Sequence, residues 1–201
     1  MQKGLLVVIS GPSGAGKGTI CKELVNSQPD IEISVSVTTR RPRGLEVEGE
    51  SYYFTSTEDF EKRIKNNDFL EYARVYGNYY GTPKWKVLEL VDQGKDVILE
   101  IDIQGALKVK EEYPEGIFIF ILPPSLQELK KRITSRGADS KEDIIKRMEC
   151  TYEELSYAFK YDYVVVNDYV EKAVDKIKSI IVAEKNKANR QISLINSIRE
   201  A

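Results

Sequence analysis

An apolar run near the start of the chain leads into a glycine-rich turn that ends in Lys-Gly-Thr. Residues 5–9 have the composition of a buried strand, and residues 20–27 are typical of a helix. Strand, glycine-rich loop and helix in this order are the context of a phosphate-binding loop. Glycines let successive backbone N–H groups face one anion, and the positive end of the helix adds to the attraction. The alternative is a glycine-rich turn that binds nothing, because short motifs also arise by chance.

The predicted phosphate loop also bears on metal binding. Its members are Gly11, Pro12, Ser13, Gly14, Ala15, Gly16, Lys17, Gly18 and Thr19. Lys17 is placed to reach the outer phosphates of a nucleoside triphosphate. The usual motif has Ser or Thr directly after the lysine as a ligand of Mg²⁺, whereas here Gly18 takes that place and the hydroxyl follows at Thr19. We therefore assign no direct protein ligand to Mg²⁺ and expect phosphates and water to hold it.

Composition excludes several classes of function. The chain has 201 residues, no histidine and a net charge of −2. The lack of histidine removes His-based triads and His-ligated zinc. Balanced charge gives no reason to expect a nucleic-acid polymer or an acidic membrane as partner, and no apolar run has the length of a membrane span. Cys21 and Cys150, far apart and outside any Cys-x-x-Cys, indicate reduced thiols and a cytoplasmic protein.

Strand-like and helix-like segments alternate along the chain, which is typical of an α/β fold. Thr57 is the expected N-cap of one helix, and Thr82-Pro83 is expected to open another. Whether the last helix is continuous or broken is left open. The pattern predicts strands at 5–9, 33–38, 51–54, 69–76, 97–102, 117–122 and 163–166, and helices at 20–27, 57–66, 83–93, 104–112, 125–136, 141–160 and 169–200.

Three charged clusters are candidates for binding. Arginines crowd the loop 39–49, and arginine forks bind phosphate in a bidentate manner, although a solvated basic turn explains that loop equally well. Glu100 and Asp102 end a buried strand, where ligands of α/β sheets bind, and carboxylates that simply face solvent are the less favoured alternative. Arginines at 132, 136 and 147 lie on both sides of Gly137 and suggest a hinged lid over phosphates, with plain surface charge as the alternative.

Four motifs in order make the chain resemble the guanylate kinase family. The signature Thr38-Thr39-Arg40-x-x-Arg43-x-x-Glu46-x-x-Gly49-x-x-Tyr52-x-Phe54 follows the phosphate loop, and motifs at 77–82 and 100–105 come after it. The resemblance implies a P-loop core with a parallel sheet flanked by helices (1–34, 82–125 and 145–201), a small β-rich GMP-binding insertion (35–81) and a helical lid (126–144). It also implies transfer of the γ-phosphoryl group of ATP, as MgATP, to GMP and also to dGMP, giving ADP together with GDP or dGDP.

The resemblance also implies a role for individual residues. For GMP these are Arg40, Arg43, Tyr52 and Tyr80 at the phosphate, Glu46 beside those arginines, and Ser36, Glu71, Thr82 and Asp102 around guanine. For ATP these are Gly11 to Thr19 at the phosphates and Asn167 and Asp168 near adenine. The implied catalytic residues are Lys17, Arg40, Arg132, Arg136 and Arg147. One departure is Gly44-Leu45, which replaces the family's frequent x-Gly before the glutamate.

Two other functions stay open at this point. A catalytically inactive module of the same family would bind phosphopeptides, but such modules typically lack the loop lysine or the lid arginines, which this chain has. A kinase for another nucleoside monophosphate or a phosphorylated sugar is the second, and the guanine-matching residues argue against it. Self-association through the C-terminal helix is left open.

Overall fold

The computed structural model describes residues 2–75, 77–134 and 151–200. The predicted lid residues Arg136, Gly137 and Arg147, together with Cys150, lie outside these ranges.

The described residues form both strands and helices from Leu6 onward. The strands are β1 (Leu6–Ser10), β2 (Ile31–Ile33), β3 (Val37–Thr38), β4 (Tyr53–Phe54), β5 (Phe69–Val75), β6 (Asn78–Pro83), β7 (Asp96–Glu100), β8 (Ile117–Leu122) and β9 (Tyr163–Val166). The helices are α1 (Lys17–Ser27), α2 (Thr57–Lys65), α3 (Lys84–Asp92), α4 (Ile103–Glu112), α5 (Leu126–Thr134), α6 (Val170–Lys185) and α7 (Ile192–Arg199). Residues 151–156 are also helical.

The larger sheet is parallel and has the strand order β2-β7-β1-β8-β9. Alternate residues of β1 face opposite sides, as the period of a strand requires. Val7 and Ile9 join one core with residues of α1 and α6, whereas Leu6 and Val8 join a second core with α3 and α4. Because helices cover both faces, the central strands β1 and β8 are almost entirely apolar. The predicted α/β fold with a parallel sheet flanked by helices is confirmed.

The smaller sheet has the order β4-β3-β6-β5, with β3 parallel to β4 and antiparallel to β6. Its core is aromatic: the Phe60 ring of α2 stacks on Phe69 at 4.3 Å and on Tyr79 at 5.0 Å between ring centroids. Helix α3 follows β6 directly, so this sheet joins the larger one at short connections. None of the helices in the described ranges is long and apolar enough to cross a membrane.

The predicted strand 33–38 is wrong, because it is two strands in different sheets. Strand β2 ends at Ile33 beside β7, and β3 begins at Val37 beside β4 and β6. Between them, the Ser34 N–H donates to the Ile98 carbonyl at 2.9 Å and the Ser36 carbonyl accepts from the Tyr53 N–H at 2.9 Å. Alternating apolar residues satisfy either sheet, so the pattern does not reveal the change of partner.

Some predicted helix boundaries are also wrong. Ser56, not Thr57, caps α2, since its hydroxyl accepts from the Asp59 N–H at 3.1 Å. Thr82 lies within β6 rather than capping α3. Asp102 lies beyond β7 and caps α4, accepting from the Gly105 N–H at 2.7 Å. The break left open in the C-terminal helix exists, since α6 and α7 are separated by a 3₁₀ turn at Ala188–Arg190.

Candidate active site

The loop between β1 and α1 has the backbone of an anion cradle. Gly11, Gly14 and Gly16 have positive φ angles of 141°, 88° and 90°, which favour residues without a β-carbon. At Gly11 a β-carbon would also lie 2.4 Å from the Ile121 carbonyl oxygen, so the loop packs directly against β8. The loop leads into the N-terminus of α1, whose backbone N–H groups and dipole attract an anion.

Lys17 holds its ammonium group at this loop. Its Nζ donates to the Gly11 carbonyl at 2.7 Å and to the Pro12 carbonyl at 3.2 Å. Burial lowers the pKa of Lys17 below its ordinary value, and the nearby Glu100 carboxylate opposes that shift. A partly desolvated ammonium that donates to backbone carbonyls is well placed to exchange them for phosphate oxygens, which carry negative charge.

A polar cavity of about 280 Å³ opens beside Lys17 and Glu100. Its other lining residues are Ser13, Gly14, Gly16, Gly18 and Thr19. A β-carbon on Gly18 would lie 3.3 Å and 3.4 Å from the two carboxylate oxygens of Glu100, so this carboxylate faces the position where the usual motif has a hydroxyl. Carboxylate and hydroxyl oxygens suit Mg²⁺.

The described residues do not form a metal-binding cage. Within 2–75, 77–134 and 151–200 there is no group of three or more acidic or cysteine side chains that could hold a metal ion. The donors at the cavity therefore fit an Mg²⁺ that arrives with phosphates and keeps much of its water.

The arginine loop is anchored by a bidentate ion pair between Arg40 and Glu46. Arg40 Nη1 lies 3.0 Å from Glu46 Oε2, and Arg40 Nη2 lies 2.7 Å from Glu46 Oε1. The same carboxylate accepts from the Arg43 backbone N–H at 2.8 Å. The hydrogen bonds between these two side chains raise the pKa of Arg40 and lower the pKa of Glu46. Arg40 is 8 % exposed, so the pair fixes a nearly buried cation.

Two tyrosines complete the cluster around Arg40. The Arg40 guanidinium carbon lies 5.3 Å from the centroid of the Tyr52 ring, and Tyr80 also hydrogen-bonds to Arg40. The Tyr52 and Tyr80 rings meet edge to face at 6.0 Å. The structure thus brings together Arg40, Glu46, Tyr52 and Tyr80, whereas the Arg43 side chain is exposed.

Two carboxylates converge near the start of α4. A β-carbon on Gly105 would lie 3.2 Å from Glu71 Oε2 and 3.4 Å from Asp102 Oδ1. Thr82 Oγ1 donates to Glu71 Oε1 at 2.7 Å. Burial, and to a lesser degree the Asp102 charge, raises the pKa of Glu71. Ser36 lies in the connection between the two sheets, partly buried.

Asn167 and Asp168 follow β9 and border the phosphate loop. They line a cavity of about 300 Å³ together with Gly14, Gly16, Thr19, Arg132 and Val170. Arg132 Nη2 donates to the Asn167 carbonyl at 3.3 Å, and Arg132 Nε donates to Glu128 at 3.2 Å. Of the three predicted lid arginines, Arg132 thus lies beside the phosphate loop, and the other two are outside the described residues.

Sequence reasoning missed Glu154 at this site. Its carboxylate accepts a hydrogen bond from the Ser13 backbone and is attracted by Lys17, while burial raises the pKa of Glu154. Glu154 belongs to the helical residues 151–156, far along the chain from the loop that it contacts. Nothing in its local sequence signals that contact, because a single glutamate on a charged helix is typical of a solvated surface.

Comparisons with known proteins agree with this geometry. A profile of the guanylate kinase family matches residues 3–184. The chain is 58 % identical over 199 residues to a guanylate kinase of Caldanaerobacter subterraneus subsp. tengcongensis, with 99 % of this chain and 97 % of the relative covered. It is 64 % identical over 190 residues to one of Clostridium tetani, covering 94 % and 91 %.

A solved structure also superimposes over nearly the whole chain. The guanylate kinase from Anaplasma phagocytophilum is 36 % identical, with a TM-score of 0.75, and the match covers 98 % of this chain and 94 % of that one. Sequence profile, curated relatives and fold therefore agree over the same residues that form the phosphate loop, the arginine loop and the two carboxylates. The chain belongs to the guanylate kinase family.

Proposed function

We propose that this chain transfers the γ-phosphoryl group of ATP to GMP, giving ADP and GDP, and that it also accepts dGMP. The observation that carries the proposal is identity of 58–64 % to guanylate kinases over nearly the full chain. The geometry supports it, because a phosphate loop with its lysine and a buried arginine cluster form two separate anion sites. An inactive phosphopeptide-binding module would have no need of Lys17 at the loop.

The arginine loop is the proposed site of the GMP phosphate. Arg40, Arg43, Tyr52 and Tyr80 bind it, and Glu46 holds Arg40 in place. A phosphate monoester has a second pKa of about 6 and is largely dianionic at neutral pH. It is therefore a ready nucleophile, and no general base is required, which suits a chain without histidine. The protein supplies position and positive charge, the main contributions to phosphoryl transfer.

The converging carboxylates are the proposed guanine site. Guanine presents two donors, N1–H and an exocyclic amine, and Glu71 and Asp102 accept hydrogen bonds from them. The Ser36 hydroxyl donates a hydrogen bond to guanine O6. Thr82 gives its hydroxyl proton to Glu71 at 2.7 Å, so its role is to orient that carboxylate. Adenine presents an acceptor where guanine has N1–H, which would leave a buried carboxylate unpaired.

The phosphate loop is the proposed ATP site, with Gly11 to Thr19 at the phosphates and Asn167 and Asp168 toward adenine. Lys17, Arg40 and Arg132 carry positive charge to the two polyanions. We propose that Arg136, from a lid at 126–144, and Arg147, just beyond that lid, join them. Glu100 and Thr19 would face a bound Mg²⁺. That ion, when bound, neutralises charge on the β- and γ-phosphate oxygens. We also propose that the insertion 35–81 closes over GMP and that the enzyme acts in the cytoplasm.

A steady-state assay of ADP formation tests the function. ATP and Mg²⁺ are supplied with GMP, dGMP, AMP, UMP or no acceptor. Turnover with GMP and dGMP and none with AMP or UMP supports the proposal. Binding of GMP without turnover would favour the inactive module, and turnover with another acceptor would contradict the guanine site.

Replacing Glu46 with glutamine is expected to raise the KM for GMP on the order of tenfold, because Arg40 loses its ionised partner and its fixed orientation. The KM for ATP should stay within about twofold, since the pair contacts the arginine loop, Tyr52 and Tyr80 rather than the phosphate loop. Initial rates at varied GMP and ATP give both constants. Glu50→Gln, an exposed carboxylate directly after this loop, is the control. Equal changes in both KM values would refute this role.

A further inference from the structure

The side-chain amide of Asn167 ties the phosphate loop to the end of β9. Asn167 Nδ2 donates to the Ala15 carbonyl at 2.8 Å, across 152 positions of sequence. The residue is 3 % exposed, so this hydrogen bond is shielded from solvent. A bond between distant segments in a buried place constrains both of them.

The lack of a side chain at Gly16 leaves room for this amide. A β-carbon on Gly16 would lie 2.4 Å from Asn167 Nδ2, closer than any real contact, so the amide fills the space that a side chain at position 16 would need. Gly16 also has a φ of 90°, which only glycine adopts at no steric cost. The amide and the glycine therefore form one fitted contact.

The hydrogen bond fixes the orientation of one peptide group in the loop. In a trans peptide the carbonyl and the N–H point in opposite directions. Because the Ala15 carbonyl points at Asn167, the Gly16 N–H of the same peptide is turned away from Asn167. Phosphate loops bind anions through such N–H groups, so their direction decides whether the cradle is formed before the ligand arrives.

Asn167 is itself held by two other elements. Its N–H donates to the Leu122 carbonyl at the end of β8 at 2.8 Å. Its carbonyl accepts from Arg132 Nη2 of α5 at 3.3 Å. A residue anchored at both backbone groups presents its amide from a fixed base, which a loop residue with a free backbone cannot do.

We propose that Asn167 is a positioning residue for the phosphate loop, and that it acts by orienting the Ala15–Gly16 peptide rather than by contacting adenine. This inference rests on the proposed function in that the loop binds the phosphates of ATP. It changes the role that family resemblance gave to Asn167. Its effect should be independent of the base, because the peptide that it orients faces phosphate.

The test compares ATP with inorganic tripolyphosphate, which has no base. Asn167→Asp keeps the size of the side chain but replaces the donor by an oxygen that repels the Ala15 carbonyl, and Asn167→Ala removes the group. Calorimetry in Mg²⁺ should show binding of ATP and of tripolyphosphate weakened by the same factor, on the order of tenfold. GMP binding should be unchanged, and the KM for ATP should rise without a matching rise for GMP.

Asn186→Asp is the matched control, since Asn186 Nδ2 also donates to a backbone carbonyl at 2.8 Å, but on the exposed end of α6. Weakened ATP binding with unchanged tripolyphosphate binding would overturn the proposal in favour of an adenine contact. Unchanged binding of both, or loss of GMP binding in both Asn167 variants, would also overturn it. Tripolyphosphate binding needs no acceptor, so the result stands apart from whether GMP is phosphorylated.

Discussion

Replacing Lys17 with methionine is expected to lower kcat about 10²–10³-fold, the usual loss when one donor to developing charge is removed. Lys17 Nζ lies at the loop carbonyls of Gly11 and Pro12, at 2.7 Å and 3.2 Å, in a partly desolvated position. An ammonium there contributes more than it would in water, because the surrounding dielectric is lower. Methionine keeps an unbranched side chain of similar length, so packing changes little.

Single-turnover rates with saturating ATP and GMP measure this effect without the influence of product release. Lys3→Met is the matched control, since Lys3 is exposed and pairs with Asp92 at 2.7 Å, away from the phosphate loop. GMP affinity, measured by calorimetry, should be the same in both variants and in the parent. A Lys17→Met enzyme with a rate within about threefold of the parent would contradict a transition-state role for this lysine.

Replacing Glu71 with glutamine is expected to reduce kcat/KM for GMP on the order of 10²-fold, because a glutamine N–H would face a guanine donor in a buried place. Thr82 can still donate to the glutamine oxygen, as it does to Glu71 at 2.7 Å. The fold should therefore be preserved. The KM for ATP should stay within about twofold, and Glu89→Gln, on the exposed surface of α3, should change neither constant.

The pH dependence follows from the burial that raises the pKa of Glu71. As pH falls, Glu71 takes up a proton before an exposed glutamate does, and it then offers one acceptor fewer to guanine. kcat/KM for GMP should fall in that range, and this step should be missing in Glu71→Gln. Protonation of the GMP phosphate affects both enzymes alike, so the difference between the two profiles isolates Glu71. Parallel profiles would contradict the assignment.

Stability should respond to Glu71 in the opposite sense. A carboxyl with a raised pKa in the folded state contributes stability below its unfolded pKa and loses it as pH rises through the folded value. At neutral pH the ionised Glu71 carboxylate therefore lowers the free energy of unfolding of the unliganded protein. We expect Glu71→Gln to raise the Tm at neutral pH and the gain to shrink in acid. A lower Tm at neutral pH would show that the carboxylate stabilises the fold.

The sequence was sufficient for strands β1, β7, β8 and β9 of the larger sheet and for the phosphate loop. Strands such as β8 and β9 are short apolar runs with clear ends, and their predicted limits of 117–122 and 163–166 match the structure. Strand β8 is buried on both faces, and β9, although Val164 and Val166 are exposed at the sheet edge, is an unbroken run of apolar and aromatic residues, so composition identifies both. The loop is equally local, because its glycines set its shape.

The remaining features depend on contacts that are distant in sequence. Whether Thr82 caps a helix or supports Glu71 is decided by the pairing of β5 with β6, which the sequence around Thr82 does not reveal. The contact between Asn167 and Ala15 joins residues 152 positions apart. The pairing of Arg40 with Glu46 was accessible through resemblance, but its bidentate geometry was not. Propensity and spacing describe one segment of the chain at a time, whereas each of these sites is formed by two or three segments that are distant in sequence.

The two sheets are joined by two short connections, and each has a predicted guanine contact beside it. Ser34 still bonds to the larger sheet and Ser36 to the smaller one, both at 2.9 Å, so only Val35 lies between them. At the other crossing, β6 runs through Thr82 and Pro83 straight into α3. A rotation of the smaller sheet about these crossings would move Ser36 and Thr82 least and the arginine loop most.

Guanosine, which lacks the phosphate, should then bind without closing the molecule, whereas GMP should shorten the distance between fluorescent labels at the exposed residues Ser51 and Ser179. Equal shortening by guanosine would contradict this. Rotation about the two crossings would make recognition sequential. The base would bind first, beside the crossings, which move least, and the arginine loop would then close on the phosphate of a nucleotide with the matching base. A nucleotide with a different base would dissociate before the arginine loop closes.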